Sequence, residues 1–543
     1  MSRDREADLA TLRAVHSAAQ GGDFAAARAL AQPALESGLE HPLLFNVLAL
    51  SLERDGDLLG AVSLLSRAVK IDPRDIGVRN ALGLCLLRLD RPAEALTHFA
   101  ALLAIDPSQA FGHTNWGAAL LALGSITEAE ASYRRALALD PTQSVAMAGL
   151  AHIASRRGRY AEARSWAEQA LVGAPNFPDA VMSLAMADLG ESATEQAELR
   201  LRALMSDAAL DPVDSAYATG LLGDVLDAQG RVADAFAAYT ACNEALRSMH
   251  AARFTSGQSA LEYVRAMTRH FEREKAGDWN TRAIDTAPPP GIRGHVFLLG
   301  FPRSGTTLLE VALEGHPGVV SLEENESLID AVRKFMGDAG GFNRLSRAGA
   351  RELQPFRQAY WRLVADAGID VTGKTFVDKH PLNTLKLPLI ARLFPDAKIV
   401  FACRDPRDVV LSCYRRRFRM SAPMYELLSL ERGAQYYDAV MRLAERLAVV
   451  LPQDVCMVAH ERLVADFEPA MQQVCAFLGL EWLPAMGDFA ARTQQRAALT
   501  PSTAQLARGL NTEGIGQWRR YATHLAPVLP VLDHWVKHFG YTP

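Results

Sequence analysis

Through the first half of the chain, small and apolar positions return every 34 residues. Prolines stand at 73, 107, 141 and 175, and three of them close near-identical phrases, RAVKIDP, ALLAIDP and RALALDP. Ala61, Ala95, Ala129 and Ala163 keep the same phase, as do Gly83 and Gly117. A fixed period of this length predicts stacked repeats rather than an irregular helical bundle. In the second half the pattern changes. His295–Leu299 is a short apolar run that reads as a buried parallel strand, followed by a glycine-rich turn and the amphipathic stretch LLEVALEGH. Lys398–Cys403 is a second such strand leading into a helix, and Ser321–Leu322 closes a third short one.

The period and its small-residue positions resemble the tetratricopeptide (TPR) repeat, which implies two antiparallel helices per unit. Small residues at Gly117 and Ala129 let helices approach, Phe99 and Tyr133 fill the gaps between neighbours, and Pro141 stops one helix and opens the next unit. One unit cannot bury its own face, so the units stack. DFAAARALAQPAL (residues 23–35) reads as part of a degenerate first unit, and LLGDVLDAQGRVADAFAAYTACNEAL, from Leu221, as a late one. Six or seven units are expected over residues 8–250. The resemblance implies a concave face for a protein or peptide partner. The stretch GDWNTRAIDTAPPPGIRG breaks all periodicity, and its three prolines mark a stiff linker. The expected organisation is therefore a repeat solenoid (8–250), a helical extension with a Pro-rich linker (251–293) and an α/β domain with a central parallel sheet (294–543).

Composition narrows the partners. A net charge of −5 argues against a nucleic-acid coat, where a basic stripe is expected. The six cysteines form no Cys-x-x-Cys pair, so neither a zinc site nor a disulfide framework is suggested. The polar start MSRDREADLATLR and the lack of a long apolar run predict a cytoplasmic chain with no membrane contact.

The chemistry centres on Gly300-Phe-Pro-Arg-Ser-Gly-Thr-Thr307. Strand, glycine loop and helix aim backbone N–H groups and a helix N-terminus at an anion. The loop nearly matches G-x-x-x-x-G-K-[ST], but Thr306 stands where nucleoside triphosphatases carry the lysine that reaches the β- and γ-phosphates. A donor without a γ-phosphate, needing no metal, suits it better, and Arg303 restores one positive charge. Downstream, Asp405 is a good N-cap, Pro406 fits the first helical position, and Arg404 lies at a strand's carboxyl end, where ligands bind in open α/β sheets.

GFPRSGTTLLEVALEGHPGVVSLEE resembles the 5′-phosphosulfate segment of sulfotransferases that use 3′-phosphoadenosine-5′-phosphosulfate (PAPS), nearest the tyrosylprotein sulfotransferase branch. The resemblance implies an enzyme that moves a sulfuryl group from PAPS to a hydroxyl, leaving adenosine 3′,5′-bisphosphate. It implies donor contacts from Arg303, Ser304, Gly305, Thr306 and Thr307. The stretch R-D-x-R-x-x-x-x-S resembles the family's 3′-phosphate segment and implies Arg404, Ser412 and Arg416; Arg415 and Arg417 read instead as a solvated helix face. Near the C-terminus Ser502, Thr503, Arg508 and Trp518 are candidate donor contacts, and His460 stands where relatives carry an aromatic residue near adenine.

The resemblance also assigns the catalytic groups. Glu324 is the expected base, because two neighbours in extended chain point oppositely and the motif selects the second of Glu323 and Glu324. Lys379 matches the lysine that touches the donor's bridging oxygen, and Arg303 joins it in stabilising charge. His316 is the runner-up base, and His380 reads as structural. Relatives acting on tyrosine in acidic peptides carry Arg after this glutamate. Here Asn325 and Glu326 stand there, and Glu326 is expected to repel an acidic acceptor, which leaves the acceptor open. The alternatives are a P-loop kinase or NTPase, and a non-catalytic TPR scaffold that binds nucleotide.

Overall fold

The computed structural model describes residues 2–275, 279, 291–338, 340–489 and 509–542. The chain divides into two compact units after Glu191.

The first unit is helical from Ser2–Gln20 to Pro178–Gly190. Its phase is set by contacts between small residues and rings. A Cβ on Gly117 would stand 2.8 Å from the Tyr133 ring, and one on Gly149 2.5 Å from the same ring, so Tyr133 is clasped between two glycines. Phe99 meets Gly83 in the same way, at 2.4 Å. Pro141 falls after the end of helix Ile126–Leu139, and the next helix opens at Ser144.

The second unit begins with helices Thr194–Met205, Pro212–Ala228, Val232–Phe254 and Ala260–Phe271. The repeat-like helices from Leu221 onward therefore pack in the unit that holds the sheet. Asn243 donates to the Tyr414 carbonyl at 2.9 Å, and the Leu261 amide donates to Glu426 at 3.1 Å.

Five parallel strands follow: β1 (Gly294–Gly300), β2 (Val319–Glu323), β3 (Thr375–Lys379), β4 (Lys398–Cys403) and β5 (Val455–Ala459), in spatial order β2-β3-β1-β4-β5. From β1 the chain runs to the edge strand β2, returns inward through β3, and then crosses to β4 and β5 on the other side of β1. The order reverses at β1, so the crevice at the carboxyl ends of β1 and β4 is where a ligand is expected. One sheet face packs on helices Thr306–Leu313 and Phe467–Leu478 through Leu309, Val311, Met471 and Val474. On the other, Phe297, Tyr360, Trp361, Phe376 and Phe394 form a ring cluster around His295. Burial pushes that histidine down to about 3, and it stays neutral. Among the described residues no helix is long and apolar enough to cross a membrane.

Candidate active site

The loop after β1 lies in the reversal crevice. A side chain at Gly300 would bring its Cβ within 2.6 Å of the Ala402 carbonyl oxygen on β4, so only glycine lets the strands pair there. Thr384 Oγ1 donates to the Gly300 carbonyl at 2.8 Å and anchors the turn. Gly305 has φ +100°, and a Cβ on it would meet His460 Nδ1 at 2.7 Å. Its neighbours Thr306 and Thr307 open helix Thr306–Leu313 and present the N-terminus of that helix to the crevice.

Two backbone conformations mark the site. Arg303 (φ +71°) and Glu324 (φ +46°) are two of only four non-glycine residues with positive φ among the described residues. Each such conformation costs on the order of 1–3 kcal/mol and persists only where surrounding contacts impose it.

Two guanidiniums converge at one end. Arg303 Nε donates to Ser412 Oγ at 3.0 Å, and Arg404 Nη1 donates to the Arg303 carbonyl at 3.1 Å. Arg404 Nη2 reaches the Gly514 carbonyl, while its buried Nε has no partner. Burial, then Arg416 and Arg404, push Arg303 down to about 9, the mark of a cation among cations. Burial, then Arg404 and Arg303, push His460 down to about 3. An anion would relieve this repulsion.

The other end holds the opposite arrangement. Lys379 Nζ, wholly buried, lies 2.9 Å from Glu323, 2.9 Å from Glu324 and 3.5 Å from Glu310. Glu310 comes from the loop helix and is also wholly buried; Ser321 Oγ donates to it at 3.0 Å. Burial works against the Lys379 charge, but Glu310, Glu323 and Glu324 outweigh it and hold the ammonium protonated. Burial likewise works against ionised Glu324, but Lys379, His380 and Arg303 outweigh it, and its carboxyl titrates below the usual range. The Glu324 side chain is 49% exposed, against 0% for Lys379. Glu324 is therefore the member of the cluster that an incoming hydroxyl can reach.

Both ends open on one cavity of about 660 Å³, lined by Arg303, Gly305, Thr306, Thr307, Glu324, Arg404 and His460 among others. Residues 295–484 match the sulfotransferase family. Residues 12–76 match one tetratricopeptide repeat model, and residues 52–111 and 120–182 match another. The chain thus joins TPR repeats to a sulfotransferase-family domain. It is 26% identical over 262 residues to an uncharacterized protein of Aquifex aeolicus (strain VF5), covering 45% of this chain and 34% of that one. It is 26% identical over 257 residues to a protein-tyrosine sulfotransferase of Drosophila melanogaster, covering 44% and 51%. Nodulation protein NoeE of Sinorhizobium fredii is 32% identical over 229 residues, covering 36% and 52%. The chain spans between a third and about half of the length of these relatives.

The sulfotransferase-family domain departs from several sequence expectations. Ser304, Lys379, Ser412, Arg416 and Trp518 do not line the cavity. Ser412 supports Arg303 from behind, and Trp518 is stacked by Arg407, whose guanidinium lies 3.9 Å from the ring centre. Glu323 and Glu324 do not diverge as extended neighbours should. β2 ends at Glu323, which is in register with Lys379 on β3, and the left-handed turn at Glu324 swings the second carboxylate to the same ammonium. Arg415 and Arg417 are no solvated face either. Their side chains are 15% and 17% exposed and pair with Asp227 and, at 2.6 Å, with Asp224 on helix Pro212–Ala228. Arg416 lies 4.0 Å from Asp224. Ser502, Thr503 and Arg508 lie outside the described residues.

Other lining residues went unseen in the sequence. Gln258 and Tyr263, from the stretch before the linker, line the cavity together with Met336, Phe418 and Met424. His316 accepts from the Gly318 amide at 3.0 Å and does not line the cavity, whereas His380 does. His380 lies 3.2 Å from Glu326, which also pairs with Lys386. Burial opposes the charge of Glu326, but these two partners outweigh it and pull its pKa down to about 2. Its charge is therefore balanced locally, and the expected repulsion of an acidic acceptor is weakened. The sequence signal was available in the spacing of His380 and Lys386 around DKHPLNTLK, but only the fold shows their shared partner.

Proposed function

We propose that this domain transfers a sulfuryl group from PAPS to a hydroxyl acceptor, with Glu324 as base, and that the repeat unit docks a protein or peptide. The observation that carries the reading is one cavity with converging arginines at one end and a lysine-bound, half-exposed carboxylate at the other. The cradle suits a donor with phosphate at both ends of its ribose. Arg404 has a buried Nε to offer, Arg303 stands among cations that a phosphate would balance, and Thr306 supplies no lysine for a γ-phosphate.

When bound, PAPS supplies an activated sulfuryl group on a phosphate leaving oxygen. The chain's residues do the rest. The loop amides and Arg303 hold the 5′ end; Arg404 holds the 3′-phosphate, with Arg416 adding to the positive field at Arg303; His460, neutral, offers a ring face. Glu324, ionised at neutral pH, takes the proton of the acceptor hydroxyl as its oxygen bonds to sulfur. A positioned base of this kind contributes roughly 10²–10⁴-fold. Arg303 and the Lys379 ammonium stabilise the charge left on the departing phosphate oxygen, so that adenosine 3′,5′-bisphosphate leaves. For Lys379 this requires that it give up one carboxylate contact.

Calorimetry tests the donor directly. Saturable binding of adenosine 3′,5′-bisphosphate without metal is the expected result. Binding of Mg-ATP alone would put the site with the nucleoside triphosphatases.

A further inference from the structure

We propose that Glu445, His534 and His538 form a site for a zinc-type divalent cation that staples the C-terminal helix to the long helix beside it. His534 and His538 are four residues apart on helix Leu529–His538, so both imidazoles stand on one face. Glu445 faces them from helix Leu430–Val450. His538 Nδ1 lies 3.3 Å from the Glu445 carboxylate, and one ligating atom from each of the three residues lies within 4.8 Å of the other two. Zinc takes imidazole nitrogen and carboxylate oxygen at roughly 2.0–2.2 Å, which sets tetrahedral ligands about 3.4 Å apart. All three side chains are exposed, so small rotations close the remaining gap and water fills the fourth position.

The base of the site is buried although its rim is exposed. Trp535, between the two histidines, is wholly buried, and its Nε1 donates to Asp438 on the long helix at 2.9 Å. Its ring meets His534 edge-on at 4.7 Å and His538 edge-on at 5.6 Å. The neighbouring cation, Arg442, gives its Nε to both Asp438 oxygens at 2.9 Å. The ligand set selects the ion: two imidazoles and one carboxylate suit zinc and its transition-metal neighbours, whereas magnesium and calcium need more oxygen ligands.

The site is separate from the donor cavity, and no step of the proposed transfer uses it. Its reach toward that cavity is mechanical. Beyond the helix, Tyr541 donates to Glu461 at 2.6 Å, and the Thr542 carbonyl accepts from Arg407 at 2.7 Å. Glu461 in turn accepts from the Asp405 amide, next to Arg404. A cation that fixes the helix end also fixes this tail against the turn that carries Arg404.

The test is zinc chloride titrated into the full chain by calorimetry, with parallel unfolding scans. Wild type should bind one more equivalent than the His534→Ala/His538→Ala double variant, and zinc should raise the unfolding temperature of wild type only. Glu445→Gln, a near-isosteric change at an exposed position, should weaken that equivalent at least tenfold and serves if the double variant folds poorly. Equal zinc stoichiometry in wild type and the double variant would overturn the site. So would unchanged zinc affinity in Glu445→Gln, or magnesium binding as tight as zinc.

Discussion

The two compact units bury different things. The first buries alanines, glycines and ring faces, and among its described residues Asp188, paired with Arg164 at 2.8 Å, is the lone buried carboxylate. The second buries charge at the carboxyl end of its sheet: Lys379 and Glu310 at 0% exposure, with Asp378, Arg404, Arg407 and Asp408 also buried. Apolar packing is non-directional, so a repeat can drift and decay at its ends and still stack. A buried charge is tolerated only with partners in place, and losing one partner is costly. Charge buried against that cost is where chemistry is expected, and here it lies beside the left-handed Arg303 and Glu324.

The contrast can be broken at either end. The largest effect is expected from Lys379→Met, which strands three carboxylates. It should cost about 3–5 kcal/mol in denaturant unfolding and reduce sulfuryl transfer at least ~10²-fold. Arg404→Ala should leave the fold intact but weaken adenosine 3′,5′-bisphosphate by roughly 2–5 kcal/mol in calorimetry, the cost of removing one partner of a buried charge pair. Gly117→Val drives a side chain into Tyr133 and should cost about 1–3 kcal/mol. Hydrogen exchange in the full chain should place that loss in helices Ala110–Leu123 and Ile126–Leu139, with bisphosphate affinity unchanged. An equal loss of bisphosphate affinity would show that the two units are not separable in this way.

The smallest effect is a slope. His460 is pushed down to about 3 by burial, Arg404 and Arg303, against an ordinary value of about 6.5. Between those values the unfolded chain binds the proton and the folded chain does not. The stability this histidine contributes is therefore present above pH ~6.5 and is lost as the pH falls toward 3. His460→Phe should make the decline of the unfolding midpoint between pH 6.5 and 5 shallower.

The same contrast explains what was legible in the chain. The repeats could be read because their rule is local: a small residue and a ring recur at fixed spacing, as Gly117 and Tyr133 do. The phosphate loop could be read because strand, glycine and helix N-terminus are consecutive. Partners chosen across the fold could not. Nothing local in RRRF says that Arg415 and Arg417 answer Asp227 and Asp224 almost two hundred residues upstream. Nor does strand alternation survive at Glu324, where one left-handed residue brings both glutamates to Lys379. The wall at Gln258 and Tyr263 was hidden for the same reason, since it belongs to helix Ala260–Phe271 and the loop before it, outside the matched residues 295–484.

One measurement bears most directly on Glu324 as the base at a PAPS site. Wild type and Glu324→Gln are given ³⁵S-labelled PAPS and a cell lysate, and the labelled product is followed over time, with bisphosphate affinity measured in parallel. Wild type should label an acceptor, and Glu324→Gln should do so about 10²–10⁴-fold more slowly at unchanged bisphosphate affinity. Equal labelling by the two proteins would contradict the account.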